Sequence, residues 1–179
     1  FSYNTTLEKV IIQDGVETIG KGAFQSCTKL ESIEMTDSVT NIYDSVFAYD
    51  DNLQNVKLSN KITKISSSLF QNCQCLSKID IPETVTSIED LSFTACRKLD
   101  KVYIPKNVST ISSGAFRGCS NLNTVTIDKE NQNFTIEDNI VYKIGKTSKS
   151  LLISLASNTN RTEITIPEGV TTLGVGALG

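Results

Sequence analysis

The chain has 179 residues, 39% hydrophobic and 21% charged, with a formal net charge of −3 and no histidine. This balance leaves no basic field for nucleic acid, and no apolar run approaches the roughly 18–20 residues of a membrane span. The absence of histidine removes Ser-His-Asp and Cys-His nucleophile pairs and imidazole metal ligands.

Taken in order, the chain repeats itself every 23 residues from Leu7 to Asn121 without an insertion. Leucine opens each unit at Leu7, Leu30, Leu53, Leu76, Leu99 and Leu122. Further columns are Val10, Ile33, Val56, Ile79, Val102 and Val125; Val16, Val39, Ile62, Val85 and Val108; and Ile19, Ile42, Ile65, Ile88 and Ile111. Phenylalanine recurs at Phe24, Phe47, Phe70, Phe93 and Phe116, and Phe1 falls one period before Phe24. A unit of this length cannot bury its apolar side alone and must stack on copies, so a repeat solenoid is expected.

Within a unit, L-x-x-V-x-I alternates apolar and polar and reads as a short strand. Pro82, Pro105 and Pro167 follow that strand, where a missing N–H ends the ladder. The V-x-x-I stretch supplies a second buried pair, extended or a second short strand. In A-F-x-x-C, Phe and Cys lie three apart, which suggests one helical or 3₁₀ turn.

Cys27, Cys73, Cys96 and Cys119 share a column in which Asp50 takes the second place. The column reads as a ladder of small buried thiols. Coils ~5 Å apart also lie near the reach of a disulfide. Cys73 and Cys75 form C-x-C, but no second close pair supports a metal site, and no cofactor is expected. Cys75 is off the column and more exposed.

The repeat that opens at Leu122 breaks after Ile127, and the next in-phase unit resumes at Ile164, 39 residues after Val125. Inside this interval Phe134–Ile136, Ile140–Ile144 and Leu151–Leu155 look like strands, with turns at Glu137–Asn139 and Gly145–Ser148. A β-hairpin or small meander at 128–160 is expected, carried on one array that runs 1–179. Repeat seven is Ile164, Ile166, Val170, Leu173 and Ala177, with Leu178 in the phenylalanine slot. Both ends of the chain look cut from a longer array.

The units ESIEMTDSVTNIYDSVFAYDDNL and DKVYIPKNVSTISSGAFRGCSNL resemble BspA-type leucine-rich repeats. The stretch N-x-N-F-x-I-E-D-N-I-V-Y resembles a hairpin insertion common in that family. Asp50 for Cys, Ser92 for Ala, Leu178 for Phe and Arg161 for the opening Leu are departures at single rungs. The resemblance implies a right-handed curved leucine-rich-repeat coil, β-rich with short helical or 3₁₀ turns, with a parallel strand sheet on one face. It also implies an extracellular or cell-surface protein that acts in adhesion to host cells or matrix macromolecules.

Strand residues two and four positions after each leucine face away from the core. On this face Lys57, Asp80, Lys101 and Tyr103 are candidate binding residues, with Ile11 as a further apolar anchor. Glu34, Lys57 and Asp80 would form an alternating charge ladder, which also reads as an exposed ion-pair row of little energetic worth. Tyr142 on the insertion is a candidate contact, or else packs onto the solenoid. N-x-S/T sequons stand at Asn4, Asn107, Asn133 and Asn160, and matter only in a secreted eukaryotic protein. No phosphate-binding glycine motif is present, and the adjacent carboxylates Asp50-Asp51 and Glu137-Asp138 lie in turns, so an enzyme is not expected. Two non-catalytic functions compete: an adhesin that binds a host or matrix protein or glycoconjugate, and a stalk that projects another domain.

Overall fold

A computed structural model describes residues 1–145, 148–154 and 162–174, with main chain only at 151, 152 and 154. The L-x-x-V-x-I segments form β1 (Lys9–Ile12), β3 (Ser32–Met35), β5 (Asn55–Lys57), β7 (Lys78–Ile79), β9 (Lys101–Ile104) and β11 (Thr124–Ile127). They pair in parallel with the sequence period as register, Val10 beside Ile33 beside Val56, and Ile79 beside Val102 beside Val125. The V-x-x-I segments form a second parallel ladder: β2 (Thr18–Ile19), β4 (Asn41–Ile42), β6 (Lys64–Ile65), β8 (Ser87–Ile88) and β10 (Thr110–Ile111).

Neither ladder is continuous. The first divides into β1-β3-β5 and β7-β9-β11, the second into β2-β4 and β6-β8-β10. At the second break, side chains take over from the main chain. The Ser59 hydroxyl donates to the Val39 carbonyl at 2.6 Å, and the Ser66 hydroxyl donates to that of Ile42.

Each repeat closes through the phenylalanine turn, where the expected helical or 3₁₀ segment is absent among the described residues. Around Phe24, alternate N–H groups point in different directions. Those of Ala23, Gln25 and Cys27 donate three residues back at 3.1, 3.0 and 3.2 Å, while those of Gly22, Phe24 and Ser26 donate to the next coil at 3.0, 3.1 and 2.9 Å. This alternation places left-handed residues two before and two after the ring: Gly22 (φ 62) and Ser26 (φ 60), Ser45 (φ 58) and Tyr49 (φ 66), Ser68 (φ 55) and Asn72 (φ 63). A right-handed helix cannot pass through such positions. The turn therefore serves as a third inter-coil ladder.

The core is a set of columns. Leu30, Leu53, Leu76 and Leu99 are fully buried, as are Phe47, Phe70 and Phe93. The rings from Phe1 to Phe116 stack at centroid separations of 5.6, 5.9, 5.5, 5.5 and 5.1 Å. Val16 departs from its column. It is 40% exposed, because the first coil lacks a neighbour on one side among the described residues.

After β11 the chain forms β12 (Phe134–Glu137), β13 (Ile140–Ile144) and β14 (Lys149–Ser154), paired antiparallel in sequence, with β15 (Val170–Leu173) parallel to β14. Asp138 (φ 49) and Asn139 (φ 59) are both left-handed, the conformation of a two-residue hairpin turn whose twist matches its strands. The Gly145 N–H donates to the Ser148 carbonyl at 2.8 Å; residues 146 and 147 between them lie outside the described set.

Repeat seven does not resume the ladder as expected. Residues 162–167 form no strand, and the half-buried Ile164 and Ile166 pack on Ile140 and Tyr142 instead. The meander accounts for this by placing its own strands next to β15. Leu155, Asn160, Arg161, Ala177 and Leu178 lie outside the described residues.

Candidate functional site

The strand alternation aims every second side chain out of the solenoid, so the exposed sheet face is built from residues 23 apart brought into lateral rows. Tyr103 is the aromatic of this face, 40% exposed, and Ile11 is 50% exposed. The Tyr103 hydroxyl donates to Asp128 Oδ2, from the next coil beyond β11. That bond holds the ring at a defined angle. It also pushes the phenol up to about 12, with desolvation and the negative charge of Asp128 adding to it. The Asp128 carboxyl is held down by the same bond and by the Glu130 N–H at 2.7 Å. Asp128 was not among the residues marked by the sequence; it lies on the neighbouring coil, two positions further along the unit than Tyr103, a diagonal that the 23-residue period encodes.

Lys57 Nζ meets Glu34 Oε1 at 2.6 Å. Their mutual hydrogen bond and charge lower the Glu34 carboxyl and raise the Lys57 ammonium. The expected three-member charge ladder stops there. Asp80 sits across the break between β5 and β7, and no ion pair within 4 Å joins it to Lys57. The break brings Lys57 and Asp80 together only as opposite walls of a gap. Lys101 is exposed, with Lys78 beside it in register, so two like charges stand on adjacent strands.

Tyr142 requires a correction. It is fully buried, and with Ile140 it packs against Ile164, Ile166 and Val170. Lys149 Nζ lies 5.9 Å from the ring centroid. Burial, then the charges of Glu137 and Asp138, push the phenol above its ordinary range. A ring enclosed in this way fastens the meander to the chain after it and offers nothing to a partner. Among the described residues, the large apolar side chains that the meander exposes are Ile136 (38%) and Ile144 (43%).

All five cysteines are free. Those of the column are buried, and each thiol donates to a phenylalanine carbonyl of the preceding turn: Cys27 to Phe1 at 3.3 Å, Cys73 to Phe47 at 3.0 Å, Cys96 to Phe70 and Cys119 to Phe93 at 3.1 Å. Burial raises every one of these thiols, Cys119 to about 12, which makes them poor nucleophiles. Among the described residues no cluster of three or more Cys, Asp or Glu side chains is arranged to hold a metal ion. Among the described residues no helix is long and apolar enough to cross a membrane. Of the sequon asparagines, Asn133 is half-buried with its amide donating to the Val108 carbonyl at 3.3 Å. The Asn4 side chain accepts from the N–H groups of Thr6 and Leu7 at 2.9 and 2.8 Å.

Solved structures share this architecture. A leucine-rich cell surface protein of Faecalibacterium prausnitzii is 38% identical over 67% of this chain and 32% of its own, with a TM-score of 0.66. A leucine-rich repeat protein of Bacteroides ovatus is 26% identical over 66% of this chain and 33% of its own, with a TM-score of 0.64. The chain thus spans about a third of the length of these two proteins. A leucine-rich repeat protein of Eubacterium ventriosum shares the fold over 93% of this chain and 49% of its own, at 24% identity and a TM-score of 0.75. A search of curated proteins returns no match. The model of the BspA type leucine rich repeat region matches in six copies, over residues 1–123, 40–153 and 87–178. With its period, its stacked phenylalanines and this match along nearly its whole length, the chain belongs to the BspA-type leucine-rich repeat family.

Proposed function

We propose that this chain is a non-catalytic protein-interaction module of the cell surface, an adhesin that binds a host or matrix macromolecule through its exposed sheet face. The carrying observation is the exposed Tyr103 ring, held by Asp128, with Lys101 two residues before it on β9 and Asp80 23 residues before it on the neighbouring coil. An aromatic oriented in advance loses little entropy on docking, and polar neighbours supply orientation. Support also comes from the Faecalibacterium prausnitzii relative, which is described as a cell surface protein. A stalk is the second reading, supported by the continuous phenylalanine stack, which gives a repeat array axial stiffness.

The test is binding of the chain to immobilised matrix proteins and to epithelial cells. A Tyr103→Ala/Lys57→Glu variant and an Ile136→Lys/Ile144→Lys variant run beside it. Deleting the meander would be uninformative, because Phe134, Val141 and Ile153 belong to the core. Saturable binding lost in the Tyr103 variant, with melting unchanged, places adhesion on the sheet face. Loss in the Ile136 variant places it on the meander. No binding by the folded chain favours the stalk.

A further inference from the structure

We propose that the break between β5 and β7 is a groove for one extended peptide segment, which pairs with the strand edges exposed there. This goes beyond the adhesive face centred on Tyr103 and adds a second, separate site on the sheet side.

At neighbouring junctions the coils are tied by main-chain bonds. The N–H groups of Gln54 and Asn55 donate to the Glu31 carbonyl at 2.9 and 3.1 Å, and that of Asp100 donates to the Ser77 carbonyl at 3.2 Å. Among the described residues no such bond joins residue 54 to 77 or 78. Behind the break the coils remain closed. Phe70 stacks at 5.5 Å on both Phe47 and Phe93, and the Cys75 N–H donates to the Asp51 carbonyl at 3.1 Å. The Phe70–Phe93 rings are tilted by 16°, the largest angle in the stack, and β6 and β8 of the same two coils stay paired.

Two adjoining open cavities of about 340 Å³ each lie at the break: one is lined by residues 54–57 and 78–80 and reaches over β3 to Lys9 of β1, the other by residues 56–60 and 80–83. Val56 is half-buried there, whereas its column neighbours Ile33 and Ile79 are 2% and 5% exposed.

The chemistry of the walls selects the occupant. Unpaired N–H and C=O groups at strand spacing match a polypeptide backbone, as in strand addition to a sheet edge. A wall of this length accepts about six extended residues. Every second side chain of the occupant would turn toward Val56 and Ile79 and must be apolar. Lys57 and Lys78 are balanced by Asp80 and Glu83, so recognition does not require a strongly charged segment.

The probe is a synthetic peptide with the chain's own strand sequence 99–104, Leu-Asp-Lys-Val-Tyr-Ile, whose strand residues pair in parallel with both neighbours inside the array. In the free chain, amides 77–79 are expected to exchange hydrogen at least about tenfold faster than amides 100–102. The peptide at about 1 mM should slow them, and N-methylation of its alternate amides should weaken that effect about tenfold. Protection should persist in Tyr103→Ala, which separates the groove from the wider adhesive face. Slow exchange at 77–79 in the free chain, no protection by the peptide, equal protection by the methylated peptide, or loss of protection in Tyr103→Ala would each overturn the proposal.

Discussion

Asp50 stands where four other coils carry cysteine, and it is fully buried. Its Oδ1 accepts the Cys27 N–H at 2.7 Å, while Oδ2 has no hydrogen-bond partner. Desolvation pushes the carboxyl up to about 8, against the lowering effect of the Cys27 N–H, with Asp51 adding to the rise. The folded chain therefore keeps a proton at neutral pH that the unfolded chain gives up near pH 4. Linkage then makes stability fall as pH rises from about 4 to about 8, with the penalty fully present above that range. Asp50→Cys should return the thiol to the ladder and remove this dependence. Denaturant melts of both chains between about pH 5 and pH 9 should converge at the acid end and diverge by a few kcal/mol at the alkaline end. A constant difference would place the Asp50 proton elsewhere. A second residue-scale outcome concerns Ala95, left-handed at φ 60 where the next coil has Gly118 at φ 71. Ala95→Gly should stabilise the chain by about 1 kcal/mol, read as a rise in Tm.

At the scale of the element, the phenylalanine turn is the part most dependent on its neighbours. Its rings gain offset stacking and complete burial only because another coil lies on each side. Phe70, fully buried between Phe47 and Phe93, should cost about 3–5 kcal/mol when changed to Ala, measured by chemical denaturation. The inserted meander is likewise held by packing. Phe134, Val141 and Ile153 enter the main core, and Tyr142 closes a second small cluster with Ile140. Asn131 joins the two parts: its amide donates to the Pro105 and Val108 carbonyls at 2.8 and 3.0 Å. Those bonds satisfy carbonyls that a regular next coil would have covered. Asn131→Ala should remove one bond from each, leaving the Pro105 carbonyl with the Val108 N–H and the Val108 carbonyl with the Asn133 amide, and lower stability by about 1 kcal/mol in the same denaturation experiment.

For the whole molecule, stability resides in apolar columns and inter-coil hydrogen bonds, while charge contributes little. Lys57–Glu34 and Lys106–Glu130 are exposed on both partners, and Lys64–Glu89 is partly so. Raising sodium chloride from about 0.05 to about 0.5 M should therefore shift Tm by no more than about 2 °C. Binding through the sheet face would behave differently, because Lys101 and Lys78 stand adjacent on it and would attract an acidic partner more strongly at low salt.

The 23-residue period was sufficient, from the sequence alone, to establish a solenoid and to assign its buried columns, Val16 excepted, because stacked identical side chains leave their spacing in the chain. Pattern could also place Tyr103 and Lys57 on one exposed row, since strand alternation is a local property. Other features needed neighbours that no window of sequence contains. The helical expectation for the A-F-x-x-C turn failed because its N–H groups alternate between their own coil and the next, which spacing cannot reveal. Tyr142 is buried because later residues, Ile164 and Ile166, leave the ladder and close over it. The break between β5 and β7 interrupts a repeat whose residues remain in phase, so it arises from how consecutive coils pack and is decided only in the tertiary structure.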